Sequence, residues 1–237
     1  MKKIMLFLLL FVTACNTAPT EKPASTPTVV KIYATAATQA WQSNLFDCAA
    51  KQSVTLMLTD PGSADISLRM GEPQNPSMRA LPAFQLGWEE IVVVVNKSHS
   101  FGQLQTEQVA ELFTGGISDW SQVPPLTPPI LNPQNEGTQE GPGAVQVWVF
   151  AAGEDAQQVF ARTLAGKPVV SSARLATSPE EMSRAIANDP HAIGILSRRW
   201  KTGNVSDVYV AASAPVLAIT PSEPQGVIKD LLACLQG

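Results

Sequence analysis

The sequence predicts an α/β protein, and three observations carry that expectation. Short apolar runs bounded by turn residues alternate with stretches of helical period along most of the chain. One of these runs, Ile91-Val92-Val93-Val94-Val95, is β-branched without interruption, the pattern of a strand covered on both faces. Just beyond it Val109, Leu112 and Phe113 share one face of a short helix that Thr106 is placed to cap and Gly115-Gly116 stops. The valine-rich strand is therefore expected to be central, with the polar Asn96-Lys97-Ser98 ending it.

The remaining elements follow in chain order. Residues 29–34 read as a first strand, and Thr35-Ala36-Ala37-Thr38 as a tight turn into a helix running to about Lys51. Small residues and hydroxyls in such a turn let backbone N–H groups face a bound group, and capping of the helix by Thr35 or Thr38 explains them equally well. Residues 54–58 form a second strand, Asp60-Pro61-Gly62 breaks it, and a third strand runs to Arg69. A polar loop over 71–77 precedes the lead-in to the central strand. Residues 123–143, dense in Pro and Gly and without period, read as a long loop, which inside a compact domain is unusual.

Residues 144–150 resume strand character, and Ala151-Ala152-Gly153-Glu154-Asp155 enters a helix with Val159, Phe160 and Leu164 on its apolar side. Glu154 and Asp155 on a first helical turn complement the helix dipole by about 0.3–1 kcal/mol each, so capping alone accounts for them. Another short strand is expected over 167–171. Ser178-Pro179-Glu180-Glu181 opens a helix, with Ser178 as cap, Pro179 at the first position, Glu181 closing a capping box, and Met182, Ala185 and Ile186 inward. Asp189-Pro190 ends it before a strand over 191–197. Residues 208–210 and 215–219 are strand candidates, and Ser222-Glu223-Pro224 opens a last helix with Val227, Ile228, Leu231, Leu232 and Leu235 on one face.

Composition narrows the function. The 237 residues are 45% hydrophobic and 15% charged, enough for one sizeable core or two small ones. A net charge of −4 without clustered Lys and Arg argues against nucleic acid as a partner. The chain opens with Lys2-Lys3, an apolar run over 4–12, and Thr13-Ala14 before Cys15. That is a signal peptide over residues 1–14, too short in its apolar part to span a bilayer. Its removal takes away both lysines and moves the net charge from −4 to −6. Residues 16–27, rich in Pro, Thr, Ala and Ser, then form a tether with too little apolar content to fold. Two further cysteines remain, Cys48 on a helix face with Trp41 and Leu45, and Cys234 on the last helix. Outside the cytoplasm they either oxidise to a disulfide or persist as buried apolar thiols.

The chain lacks a Gly-x-Ser-x-Gly elbow, a phosphate loop, a Gly-x-Gly-x-x-Gly dinucleotide turn and a His-Glu-x-x-His metal motif. No cofactor, no metal and no enzymatic activity are expected. His99 and His191 sit by turns and read as solvated, as does Arg198-Arg199 beside Trp200. Trp88 and Trp120 serve either as packing anchors or as platforms for a planar ligand.

An apolar strand ending in Asn96, followed by Leu104, Glu107, Val109, Leu112, Phe113, Thr114, Gly115, Ile117 and Trp120, resembles the hinge and second-lobe entry of the phosphate-type solute receptors of ABC transporters. Residues 192–197 are similar to that family's returning strand, with Ile195 in place of its usual aromatic. Val12-Thr13-Ala14-Cys15 resembles the bacterial lipobox, with Val12 for the usual Leu; ordinary secretion with cleavage near Ala14 is the alternative. The resemblance implies a type II periplasmic-binding-protein-like fold with two lobes joined by two hinge crossovers. Residues 28–87 and 203–237 make lobe I and residues 88–202 lobe II. It implies an extracytoplasmic protein, anchored through Cys15 to the bacterial membrane, monomeric, carrying a small molecule or ion to an ABC permease. A sensor or interaction module on the same fold is the alternative, and an extracytoplasmic hydrolase the third.

For the ligand site the resemblance implies Thr35, Ala36, Ala37 and Thr38 in one wall, and Ser63, Asp65 and Arg69 from the next strand. It adds Ala152, Gly153, Glu154 and Asp155 from the loop that in the family reads Arg-x-x-x-Ser-Gly-Thr, and Gly194 from the returning strand. Arg69 is then an anion clamp or a plain exposed ion pair. The phosphate loop itself is altered, with no arginine and with Gly153-Glu154-Asp155 where Ser-Gly-Thr stands. A carboxylate about 4 Å from a phosphate costs on the order of 4 kcal/mol at an effective dielectric of about 20, so simple phosphate is not the expected ligand.

Overall fold

The computed structural model describes residues 28–99, 102–123 and 143–237. The signal segment, the tether with Cys15, and the loop over 124–142 lie outside the described residues.

Strand β1 (Thr28–Ala34) is followed by a 3-10 turn (Ala36–Trp41) that leads into helix α1 (Gln42–Lys51). Then come β2 (Val54–Leu58), β3 (Ile66–Met70), α2 (Pro76–Arg79) and β4 (Ala83–Asn96). Helix α3 (Thr106–Thr114), β5 (Gln146–Val149), α4 (Asp155–Ala161), the two-residue β6 (Arg174–Leu175), α5 (Pro179–Asn188) and β7 (Ala192–Ser197) follow. The chain closes with β8 (Val205–Ile219) and α6 (Gly226–Gln236). Sheet order is β2-β1-β3-β8-β4-β7-β5-β6.

The geometry of β4 and β8 divides the molecule. These two strands pair antiparallel from Ala83↔Ile219 to Asn96↔Val205, with register shifts at Gln85/Gly87, Ile91/Val92 and Val93/Val94 that bend the ribbon. At one end β3 adds to β8, bringing in parallel β1 and β2. At the other end β7 adds to β4, and β5 and β6 follow in parallel. The ribbon is thus the double crossover between two lobes, as the β-branched run implies: Ile91 through Val95 are all buried. Each lobe has its own core. Val30, Ile32, Leu45, Ile66, Leu68, Val216 and Leu231 pack together in the first, and Phe113, Phe160, Met182, Ile193 and the valine run in the second. Val205 and Val208, at the start of β8, pack with the second core.

Cys48 on α1 and Cys234 on α6 form a disulfide, which ties the last helix to the first lobe. Closing so long a loop restricts the unfolded chain, an effect worth about 2–4 kcal/mol.

Several local expectations need correction. Gln105, not Thr106, is the N-cap of α3, because the Gln108 side chain reaches back to its N–H at 2.8 Å, while the Thr106 hydroxyl meets Tyr209. Residues 167–171 form no strand; Val170 gives its single N–H to the α3 carbonyl of Phe113, and the sheet is extended by β6 instead. The strand candidates over 208–210 and 215–219 are one continuous strand, since pairing with β4 carries the intervening residues. The last helix begins at Gly226, beyond Pro224. Ser178 caps α5, accepting from Glu181 N–H, but the Glu181 carboxylate returns to Thr177 rather than to the cap itself. Residues 76–77, placed in a loop by their polarity, begin α2 because Asn75 caps it and Pro76 suits a first helical position.

Candidate functional site

The C-terminal ends of β1 and β3 in the first lobe face the N-terminal end of α4 in the second. On the first side, Thr35 and Thr38 are buried and linked, hydroxyl to hydroxyl, at 3.1 Å. Thr38 donates to the Leu68 carbonyl at 3.0 Å, which leaves the Thr35 hydroxyl free to donate across the crevice. Arg69 and Met70 end β3 beside them.

What lies across the crevice is Asp155, the first residue of α4. Its Oδ2 accepts from Thr35 Oγ1 at 2.9 Å and from the Met70 N–H at 2.8 Å. Arg69 Nη2 donates to Oδ1 at 2.6 Å, and its Nε lies 3.1 Å from each oxygen. The carboxylate side chain is only 3% exposed and the guanidinium 16%. Hydrogen bonding to Asp155 raises the Arg69 pKa further, so the guanidinium stays charged at any ordinary pH. A buried charge pair of this kind is held by its full set of donors, and losing one partner typically costs about 3–5 kcal/mol. The expectation that Asp155 serves as a helix cap is therefore corrected. Its carboxylate is withdrawn from its own helix because donors of the other lobe satisfy it better.

Neighbouring groups complete the crevice. Gly71, with φ of +74°, lets the chain leave β3 hard against α4, where an added Cβ would sit 3.1 Å from Val159 Cγ2. The Glu154 side chain makes no capping bond, and its Oε2 is buried without a hydrogen-bond partner. Burial raises the Tyr33 hydroxyl above its usual range, with Arg69 opposing and Glu154 and Asp155 reinforcing that effect.

Of the residues singled out from sequence, Thr35, Thr38, Arg69, Glu154 and Asp155 converge. Ala36 and Ala37 form the turn beneath the threonines, and Ala152 and Gly153 are exposed at the approach to α4. Ser63 and Asp65 lie at the opposite end of β3, where the Asp65 carboxylate takes the Lys31 N–H at 2.8 Å. Gly194 lies within the second core, where a Cβ would meet Met182 Sδ at 2.6 Å. Met70 was not foreseen, because a backbone N–H contributes regardless of side chain.

A second polar cluster sits on the hinge. Glu89 of β4 is buried and accepts from Trp41 Nε1 at 3.2 Å and Arg199 Nε at 2.8 Å, and the Arg199 guanidinium stacks 4.7 Å from the Trp41 ring. Arg198 pairs with Glu90 at 2.6 Å and with Asp207. Arg198 and Arg199 are thus exposed in a 3-10 turn, as expected, and pair there with the acids of β4 and β8. An open hollow of about 470 Å³ at this point is lined by Trp88, Glu90, Arg198 and Ser213, away from the Asp155 crevice. Trp88 is 59% exposed there, whereas Trp120 is a packing anchor, its Nε1 bonded to the His191 carbonyl and its ring against His99. The His99 ring therefore belongs to the packing around Trp120, whereas His191 contributes its backbone carbonyl. Among the described residues no cluster of His, Cys, Asp or Glu is arranged to hold a metal.

Two antiparallel strands crossing between two lobes, with a crevice at the strand ends, decide the fold. It is the type II periplasmic binding fold. Solved structures agree. The chain aligns with a phosphate ABC transporter substrate-binding protein of Clostridium perfringens, solved with bound phosphate, at TM-score 0.73 and 14% identity, covering 88% of this chain and 93% of the other. A phosphate transport receptor of Vibrio cholerae aligns at TM-score 0.62 and 16% identity over 88% and 93%. The same fold includes the regulatory domain of OxyR2 from Vibrio vulnificus, at TM-score 0.60 and 7% identity over 91% and 97%. Among curated sequences, the phosphate-binding protein PstS 2 of Streptococcus agalactiae is 36% identical over 63 residues, 26% of this chain and 22% of that protein. The chain thus matches about a fifth of that relative's length. No protein-family model matches the chain. The type II fold is shared by transport receptors and regulatory domains alike, so the fold does not by itself name the ligand. No helix among the described residues is long and apolar enough to cross a membrane.

Proposed function

We propose that the protein is an extracytoplasmic binding protein, released from its signal peptide at Cys15 and held to the bacterial membrane by lipid there. Its two lobes enclose a crevice that does not take simple phosphate; the expected bounds, 28–87 with 203–237 and 88–202, are kept except that the start of β8 goes with the second lobe. The observation that supports this reading is the Asp155 carboxylate, which already uses the Thr35 hydroxyl, the Arg69 fork and the Met70 N–H. An entering phosphate finds those donors occupied and a fixed negative charge at contact distance. The partners that follow are a small solute other than phosphate and an ABC permease, with no nucleic acid, and the binding protein acts as a monomer and not as an enzyme.

The second reading, an interaction or sensing module without transport, is favoured by the same clamp, because a crevice closed by its own side chain needs no solute to close. A thermal-shift screen of the purified protein against phosphate, sulfate, molybdate, amino acids and small cations separates them. Saturable stabilisation by one non-phosphate solute supports the transport receptor. No response to any solute supports the module. Micromolar phosphate binding would overturn both. Labelling with a radioactive fatty acid in a bacterial host, abolished by Cys15→Ser, tests the anchor.

A further inference from the structure

We propose that Thr35, Arg69 and Met70 form a carboxylate-binding site on the first lobe, and that Asp155 of the second lobe is its built-in ligand. This rests on the second reading above, the interaction or sensing module, and goes beyond it by naming the chemical class the donors select and the state they hold. The Thr35 hydroxyl, the Met70 N–H and the Nε–Nη2 edge of Arg69 are all directed at one of two oxygens, while Arg69 Nη1 turns to Met78 Sδ. Oδ1 receives Nη2 and a share of Nε from Arg69, and Oδ2 receives Thr35 Oγ1, the Met70 N–H and the rest of Nε. A planar monoanion uses this set completely. A tetrahedral dianion carries further oxygens for which this set holds no donor.

Tethering decides who occupies the site. A carboxylate carried on the same chain acts at an effective concentration in the millimolar range or above, so a free carboxylate at micromolar levels does not displace it. Lobe closure, which in a solute receptor waits for a ligand, is here set by the chain itself. The closed surface is therefore displayed continuously.

Replacing Asp155 should expose the site. Asp155→Ala is expected to lower the melting temperature by on the order of 10 °C. Sodium formate or acetate, in the millimolar range, should restore most of that loss in a saturable manner, with chloride at equal ionic strength as control. Wild type should not respond, and Arg69→Ala added to Asp155→Ala should abolish the rescue. Small-angle scattering should show the variant expanded without formate and compact with it. Should Asp155→Ala not fold alone, Asp155→Ser, which retains a polar group, is measured in the same way.

The proposal is overturned if the folded variant keeps the wild-type melting temperature, if neither carboxylate stabilises it, if wild type is stabilised equally, or if phosphate rescues where formate and acetate do not. Because the readout lies in the variant, it is separable from the solute screen on wild type. A wild type that binds phosphate sinks the function proposed above, whereas an unresponsive Asp155→Ala sinks only the built-in ligand.

Discussion

Two buried carboxylates bridge the lobes of this protein, and they are built differently. Asp155 reaches across the crevice into donors that all belong to the other lobe, and its arginine partner is mostly enclosed. Glu89 rises from the hinge strand itself, and its partner Arg199 is 49% exposed, though stacked on Trp41. Water screens the second pair more than the first. The contrast teaches that position in the fold, rather than the presence of an ion pair, sets what it does: the hinge pair stiffens a joint that already exists, while the crevice pair chooses the relation between the lobes.

The largest test of that contrast is Arg69→Ala. It strands the Asp155 charge in a site that is nearly dry, and should destabilise the protein by about 3–5 kcal/mol in urea titration. A cost below about 1 kcal/mol would place the crevice pair on a par with ordinary surface pairs. Reduction of Cys48–Cys234 is the next in size, at about 2–4 kcal/mol. The bond joins α1 to α6 within the first lobe, so reduction should lower stability without opening the crevice. Scattering before and after dithiothreitol measures this, and expansion on reduction would show lobe closure to depend on more than Asp155.

Arg199→Ala should cost less, about 1–2 kcal/mol, because Glu89 retains the Trp41 N–H and water reaches the vacated side. A loss equal to that of Arg69→Ala would remove the distinction drawn between the two carboxylates. The smallest effect is expected at Asp207, whose carboxyl is held below its usual range by Lys201, with Arg198 contributing. A depressed carboxylate adds stability above its unfolded pKa of about 3.9, and that stability is lost as pH falls through the lower folded value. Asp207→Asn should therefore lower stability by less than about 1 kcal/mol at pH 7, and by less still near pH 2. Urea midpoints at the two pH values check the sign.

Much of the architecture was legible because the pattern and the burial agree. Ile91 through Val95 could be read as doubly covered because no polar residue interrupts them, and they are buried on both faces of the sheet. Ser178-Pro179 marked a helix start that tertiary contacts had no reason to alter. Residues 167–171 misled because apolar residues also pack against a helix end outside any sheet, as Val170 does beside Gly115 while its N–H bonds the Phe113 carbonyl. At the site, the threonine turn and Arg69 were visible as types of residue, but Ser63 and Asp65 were drawn in by a local motif that the strand direction carries away from the crevice.

By itself the sequence determined the alternation of strands and helices, the central strand, the places where helices begin, and a loop at 152–155 too acidic for an easy fit to phosphate. These follow from local propensity and hydrophobic period, which act over a few neighbouring residues. Only the tertiary structure decided that Asp155 turns away from its own helix to meet Thr35, Arg69 and Met70, that Glu89 lies under Arg199, and that Cys48 bonds Cys234. Each of these contacts joins residues 85 or more positions apart. Their energies depend on which donors the folded chain brings within 3 Å of a desolvated charge, a distance that no local pattern encodes.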